Sequence, residues 1–182
     1  NTNEIFFVYK ILQSYPQCKF LIFGMGNDSP LWASLNKNGR TVFLENDNDW
    51  FVKLKKIFPC LEAYLVQYLT KMSDWKVLMG QPEKLYMDLP KGVKNEKWDV
   101  ILVDGPPGYE GYREIYGVEA PGRMSSIYMA SKLISPKGDI FVHDCDREIE
   151  SEYCDKYYGK EKFKNQINGR ALLKHYKMNI SE

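Results

Sequence analysis

No Gly-Lys-Ser/Thr loop occurs anywhere in this 182-residue chain, which removes the usual cradle for a nucleoside triphosphate. Net charge is nearly absent too. Twenty-five Lys and Arg oppose 24 Asp and Glu, leaving +1, so there is no general reason to expect a nucleic acid or an anionic membrane as partner. No apolar run approaches 18 residues, and a bilayer span is therefore not expected. The four cysteines, Cys18, Cys60, Cys145 and Cys154, show no C-x-x-C spacing, which speaks against a zinc ribbon or a redox motif and leaves reduced thiols as the expectation. Internal repeats and low-complexity tracts are also missing. A hydrophobic content of 44% with 14% aromatics excludes a disordered chain. The length suits one domain over 1–182 with a sizeable core. The chain opens at Asn1 without Met, signal peptide or transit pattern. It is expected to be a piece of a longer protein, cytoplasmic if taken alone.

The most informative segment that is present runs Phe20-Leu-Ile-Phe-Gly-Met-Gly-Asn-Asp-Ser29, followed about twenty residues on by Thr41-Val-Phe-Leu-Glu45. It reads as a buried strand, a tight glycine turn, a short helix and a second strand ending in a carboxylate. That is the layout of a nucleoside-cofactor site in a doubly wound α/β sheet. Gly24 and Gly26 permit the sharp turn and a close ligand approach, and Glu45 stands where an acid accepts hydrogen bonds from ribose hydroxyls. The third glycine of a dinucleotide fingerprint is missing, because position 29 is Ser. A G-x-G turn without a pyrophosphate cradle points to S-adenosylmethionine, which has ribose and adenine but no phosphate.

Periodicity predicts a helix over 2–14, with Thr2 as cap and Ile5, Phe6, Val8, Tyr9 and Leu12 on one face. Strands follow at Lys19 to Phe23, Arg40 to Leu44 and Ala63 to Val66. Between them lie a helix capped by Ser29 and ended by Asn38-Gly39, and another capped by Asn48 or Asp49. Leu69 to Asn95 reads as a polar connecting loop with a short amphipathic piece at Trp75 to Met79. Trp98 to Val103 is a continuous apolar strand of the kind buried in parallel sheets. After a long aromatic loop come a helix over Met124 to Ile134, a strand over Gly138 to Val142 and a helix from about Arg147 to Tyr157. Asn168-Gly169 reads as a two-residue hairpin turn. The sum is a mostly parallel sheet with an antiparallel C-terminal hairpin and helices on both faces.

Ligands of open α/β sheets bind beyond the carboxyl ends of the strands. Gly24 to Ser29, Glu45 to Asp47, Asp104 to Tyr109 and His143 to Asp146 all fall there. Each has a plainer reading as turn-former or helix cap; their convergence carries the argument. Asp104 and Asp144 end neighbouring strands with His143 beside them. Such a pair suits oxygen ligation of Mn²⁺, Mg²⁺ or Co²⁺, which would lower the pKa of an acceptor hydroxyl. Without a metal, His143 or Asp104 would act as general base.

The blocks Phe23-Gly-Met-Gly-Asn-Asp-Ser-Pro-Leu-Trp-Ala-Ser-Leu35, Val42-Phe-Leu-Glu45, Val103-Asp-Gly-Pro-Pro-Gly-Tyr109, Glu119-Ala-Pro-Gly-Arg-Met124 and Val142-His-Asp144 resemble, in the same order, the glucuronoxylan 4-O-methyltransferases. The match runs roughly from residue 17 to residue 176. The resemblance implies a Rossmann-like class I methyltransferase fold with a seven-stranded sheet, and S-adenosylmethionine-dependent methyl transfer to a sugar hydroxyl of a glycan. It implies cofactor contacts from Gly24, Gly26, Ser29, Glu45, Asn46 and Asp104, with Asp104, His143 and Asp144 around the reacting oxygen and Asp104 and Asp144 as the metal pair. Arg123 is the expected partner of a uronate carboxylate or of sugar hydroxyls, because its planar fork suits bidentate contacts. Tyr109 and Arg113, in a loop with Tyr112 and Tyr116, are expected against the sugar.

Two departures leave the acceptor open between a uronic acid and a neutral or deoxy sugar such as rhamnose. The segment between Leu69 and Trp98 is shorter than in the plant enzymes and lacks their cysteine pair, and Glu110 to Val118 reads as an insertion. A parent resembling the plant enzymes would be placed in the Golgi and could be fused to other glycan-processing domains. An aminopropyltransferase shares the fold, but Arg123 near the acceptor argues against a polyamine. A non-catalytic glycan-binding scaffold is the remaining alternative.

Overall fold

In the computed structural model, which describes residues 2–109 and 111–179, the chain begins with helix α1 (Thr2–Leu12) and then alternates strand and helix. β1 (Lys19–Phe23), α2 (Ser29–Leu35), β2 (Arg40–Glu45), α3 (Asn48–Ile57) and β3 (Glu62–Leu65) form the first half. Two single-turn helices, α4 (Trp75–Leu78) and α5 (Lys91–Lys94), precede β4 (Trp98–Val103). The second half holds α6 (Tyr112–Tyr116), α7 (Met124–Leu133), β5 (Ile134–Val142), α8 (Glu148–Tyr158) and the strands β6 (Phe163–Asn168) and β7 (Leu172–Lys177).

The seven strands lie in the order β3-β2-β1-β4-β5-β7-β6. β1 to β5 pair in parallel, while β7 runs antiparallel to both β5 and β6. The chain leaves β1 toward β2 on one side and returns through β4 on the other, so the crossover direction reverses between β1 and β4. That reversal opens a crevice at the carboxyl ends of the central strands.

Period-two alternation divides the strand side chains between two cores. Leu21, Phe23, Val42, Leu44, Ile101 and Val103 pack with α7 and α8 on one face. Phe20, Ile22, Phe43, Val100, Leu102 and Phe141 pack with α1, α2 and α3 on the other. Burial on both faces is why β1 and β4 read as continuous apolar runs.

Several expectations are corrected. On α1 the buried residues are Glu4, Val8 and Leu12, and Phe6 turns outward at 54% exposure. Asp28, not Ser29, stands at the cap of α2, and that helix ends at Leu35. Asp47, not Asn48 or Asp49, caps α3, its carboxylate accepting from the Trp50 N–H at 2.8 Å. The third strand lies one residue earlier than expected, and β5 begins at Ile134, with a register irregularity against Trp98 and Val100. The hairpin loop has three residues, 169–171, because Asn168 pairs with Leu172. The 69–95 stretch, read as a connector, buries Leu78, Leu85, Met87, Leu89 and Val93 in the core. Its apolar positions follow no single period because short helical turns and prolines interrupt it, so pattern could not reveal it. Among the described residues, no helix is long and apolar enough to cross a membrane.

Candidate active site

The turn after β1 is held by several hydrogen bonds. Gly24 adopts φ +109°, and a side chain there would meet the backbone of Asp104 and Gly105 at 3.2–3.4 Å. The turn is thus pressed against the end of β4, and only glycine fits. The Gly24 N–H donates to Leu44 O at 2.7 Å. The Gly26 N–H donates to Ser29 Oγ at 2.9 Å, and the Trp50 indole donates to Met25 O at 2.7 Å. Ser29, expected as a cofactor contact, is buried; its hydroxyl accepts from this turn and the residue borders the adjacent cleft.

Glu45 ends β2 beside it. Its Oε2 accepts from the Met25 N–H at 2.9 Å, and its Oε1 from the N–H groups of Asn46 and Asp47 at 2.7 and 2.8 Å. Burial raises its pKa, and the three backbone donors oppose that rise. These residues line one end of a cleft of about 670 Å³ whose apolar walls include Ile22, Phe43 and Leu102. Gly24, Gly26, Glu45, Asn46 and Asp104 all border it, as the sequence reading expected.

At the other end, the ladders that join β4 to β1 and β5 to β4 each continue one residue past their strands. The Asp104 N–H donates to Phe23 O at 2.9 Å and the His143 N–H to Val103 O at 3.0 Å. Asp104, His143 and Asp144 are therefore brought side by side. Asp144, held at φ +61°, meets His143 Nδ1 at 3.0 Å, Arg123 Nη2 at 2.7 Å and Arg147 Nη2 at 3.1 Å. Burial alone would raise its pKa; the His143 hydrogen bond and the two guanidinium groups outweigh that and hold it at about 2. His143 is raised, chiefly by its hydrogen bond to Asp144. Its Nδ1 lies 3.5 Å from Asp104 Oδ1, and its Nε2 lies 3.6 Å from Glu4 Oε2 of α1. The ring stands behind the carboxylates and does not border the cleft.

Asp104 differs from its neighbours. Its side chain is 47% exposed and borders the cleft. The surrounding protein raises its pKa, against the lowering pull of Arg123 and His143. A carboxylate that opens to a cleft and holds protons more readily than usual has the character of a general base.

Arg123, the expected acceptor fork, borders the cleft, with its guanidinium engaged inside the protein. It is 5% exposed, and its guanidinium donates to the carbonyl oxygens of His143 at 2.6 Å, Asp104 at 2.9 Å and Pro106 at 3.4 Å while pairing with Asp144. The fork ties together the ends of β4 and β5. This position also bears on the metal. The two carboxylates already face a guanidinium, and a divalent ion between them would sit against that fixed positive charge. Among the described residues, no group of three or more His, Cys, Asp or Glu is arranged to hold a metal. The residues present do not fit the expected ion.

Tyr109 borders the cleft with Tyr112 and Tyr116 of α6. Arg113 on the same helix is exposed and does not border it. Glu110, at the start of the segment read as an insertion, lies outside the described residues. Sequence reasoning missed Arg147 and Glu4. The available signals were a cation directly after the strand-end acids and an acid on an otherwise apolar helix face.

Comparison with known proteins agrees with this geometry. A family model described as IRX15/IRX15L/GXM matches residues 3–86 and 82–176. Glucuronoxylan 4-O-methyltransferase 3 of Arabidopsis thaliana is 38% identical, covering 96% of this chain and 62% of its own length. Arabinogalactan O-methyltransferase 1 of the same plant is 32% identical, covering 97% and 66%. The chain spans less than two thirds of the glucuronoxylan enzymes it matches. Among solved structures, the N-methyltransferase NodS of Bradyrhizobium japonicum superposes with a TM-score of 0.56 at 12% identity, covering 97% of this chain and 95% of that one. A methyltransferase of Pyrococcus furiosus gives 0.54 at 16%, covering 97% and 83%. At those identities the likeness is one of fold, that of the class I methyltransferases. The sequence matches reach further and run nearly the whole length of the domain, through both ends of the cleft: this chain belongs to the IRX15/IRX15L/GXM family.

Proposed function

We propose that the chain binds S-adenosylmethionine in the cleft and directs methyl transfer to a sugar hydroxyl of a glycan. The observation that carries this reading is the joining, in one cleft, of the Gly24–Glu45 nucleoside end with the open carboxylate of Asp104. The relatives support it, being named as O-methyltransferases of glucuronoxylan and arabinogalactan. Bound there, S-adenosylmethionine supplies an electrophilic methyl group on a sulfonium sulfur.

The residues divide the remaining work. Glu45 keeps one lone pair, on Oε2, beyond its three backbone bonds and accepts from a ribose hydroxyl. Gly24, Gly26 and Asn46 shape the wall around the nucleoside. Asp104 accepts the proton of the attacking hydroxyl as its oxygen gains the methyl group, so an ether forms and the proton rests on the carboxylate. Arg123 and His143, themselves held by Asp144, fix Asp104 in place and offset its charge.

The test is a methyl-transfer screen against a panel of glycans with mass readout. The reading expects a methyl increment on a neutral or uronate-bearing glycan together with calorimetric binding of S-adenosylhomocysteine. Glycan binding without any affinity for S-adenosylhomocysteine would mean a scaffold.

A further inference from the structure

A second groove, of about 490 Å³, lies beside the cleft and shares Gly108, Tyr109 and Arg147 with it. Trp75 and Ile149 give it apolar surface, and Glu119, Glu148 and Glu150 give it carboxylates. We propose that this groove holds the neutral sugars flanking the methylated residue, so that the domain reads a glycan chain rather than a single sugar. The proposal rests on the methyltransferase reading and deepens it.

Three observations support it. First, the shared residues make the groove continuous with the Asp104 end of the cleft, so one chain can lie across both. Second, Glu150 is 1% exposed, and its Oε2 makes no hydrogen bond. Its other oxygen is 3.9 Å from Arg147 Nη1. A buried acceptor without a donor is costly to leave so, and a small turn of the carboxylate toward the groove it lines lets a sugar hydroxyl supply one. Third, the charge of the lining selects among glycans. Three carboxylates face one cation, and that cation, Arg147, stands at the junction with the cleft, its Nη1 donating to Gly108 O at 3.2 Å. Hydroxyl-rich neutral sugars meet acceptors along the groove and an apolar stacking face at Trp75. A polyanionic chain would meet repulsion from Glu148 and Glu150 along the groove, relieved at Arg147 and near Lys76, which stands 5.1 Å from the Trp75 ring centroid. A uronate is best accommodated where Arg147 stands.

The experiment is calorimetric titration of the protein, saturated with S-adenosylhomocysteine, with xylohexaose, a galactohexaose and hexagalacturonate. One of the neutral hexasaccharides should bind. Glu150→Gln and Trp75→Ala should each weaken it by about fivefold to tenfold, the scale of one lost hydrogen bond or stacking face. Unchanged S-adenosylhomocysteine affinity in both variants reports intact folding, and the near-isosteric Glu150→Gln covers the case in which Trp75→Ala does not fold. Failure of both neutral hexasaccharides to bind, with S-adenosylhomocysteine still bound, would overturn the groove and leave the methyltransferase reading standing. Tighter binding of hexagalacturonate would overturn it as well. A wild type without affinity for S-adenosylhomocysteine would remove the reading beneath, and the groove with it.

Discussion

Arg123 and Asp144 show how a single ion pair organises the site. Three carbonyl oxygens and two carboxylates surround the guanidinium, so its charge and its planar shape are both in use. A lysine keeps the charge but cannot reach that many acceptors in a plane. Arg123→Lys is therefore expected to lower thermal stability and weaken methyl transfer together, checked by melting curves beside steady-state kinetics. A change confined to the acceptor Michaelis constant would restore Arg123 as a substrate residue. Asp144 makes a prediction with a definite sign. Its pKa falls from 3.8 to about 2 on folding, so its contribution is fully present above the unfolded value and drains away as pH falls from about 4 toward about 2. That contribution is on the order of 2 kcal/mol. Urea denaturation across this range should show the gap between wild type and Asp144→Asn narrowing on acidification. A constant gap would mean that the pairing does not titrate. None of this was legible in the sequence, because spacing brings His143, Asp144 and Arg123 near one another without saying which groups pair internally.

The central strands and the helices packed on them were legible, because each presents one repeating pattern to one environment. β1 and β4 fall at their expected residues, and α7 and α8 lie within a residue or so of theirs. Gly24 was legible as well, since a glycine directly after an apolar strand has few other uses. Gly24→Ala sets a side chain at φ +109° against the backbone of residues 104 and 105. It should cost about 1–3 kcal/mol and strongly weaken S-adenosylhomocysteine binding, read by denaturation and calorimetry; wild-type behaviour in both would mean that the turn is not pressed against β4. The 69–95 stretch was illegible for the opposite reason, its buried residues arriving from successive short turns. Leu85 is fully buried within it. Leu85→Ala should destabilise the protein by about 2–5 kcal/mol, measured as a shift in the urea midpoint, where a connector would show almost none.

At the scale of the whole molecule, topology does most of the positioning. The reversal between β1 and β4 places Glu45 and Asp104 at the two ends of one cleft, although 58 positions separate them in the chain. The sequence supplied the strand-end acids and the glycine turn, and from these the doubly wound sheet with its site could be read. Among the described residues, the metal expected from those acids finds no support. Two acids on neighbouring strands look alike in sequence whether a cation or an arginine lies between them, and here a guanidinium does. The account therefore places the acceptor's proton on Asp104. The most direct test is transfer of a trideuteromethyl group from labelled S-adenosylmethionine to a glycan acceptor, compared between wild type and Asp104→Asn and followed by mass. The account predicts that Asp104→Asn binds S-adenosylhomocysteine as the wild type does and loses about a hundredfold or more in transfer rate, the scale of a lost general base. Transfer at the wild-type rate by a folded, cofactor-binding Asp104→Asn would contradict it.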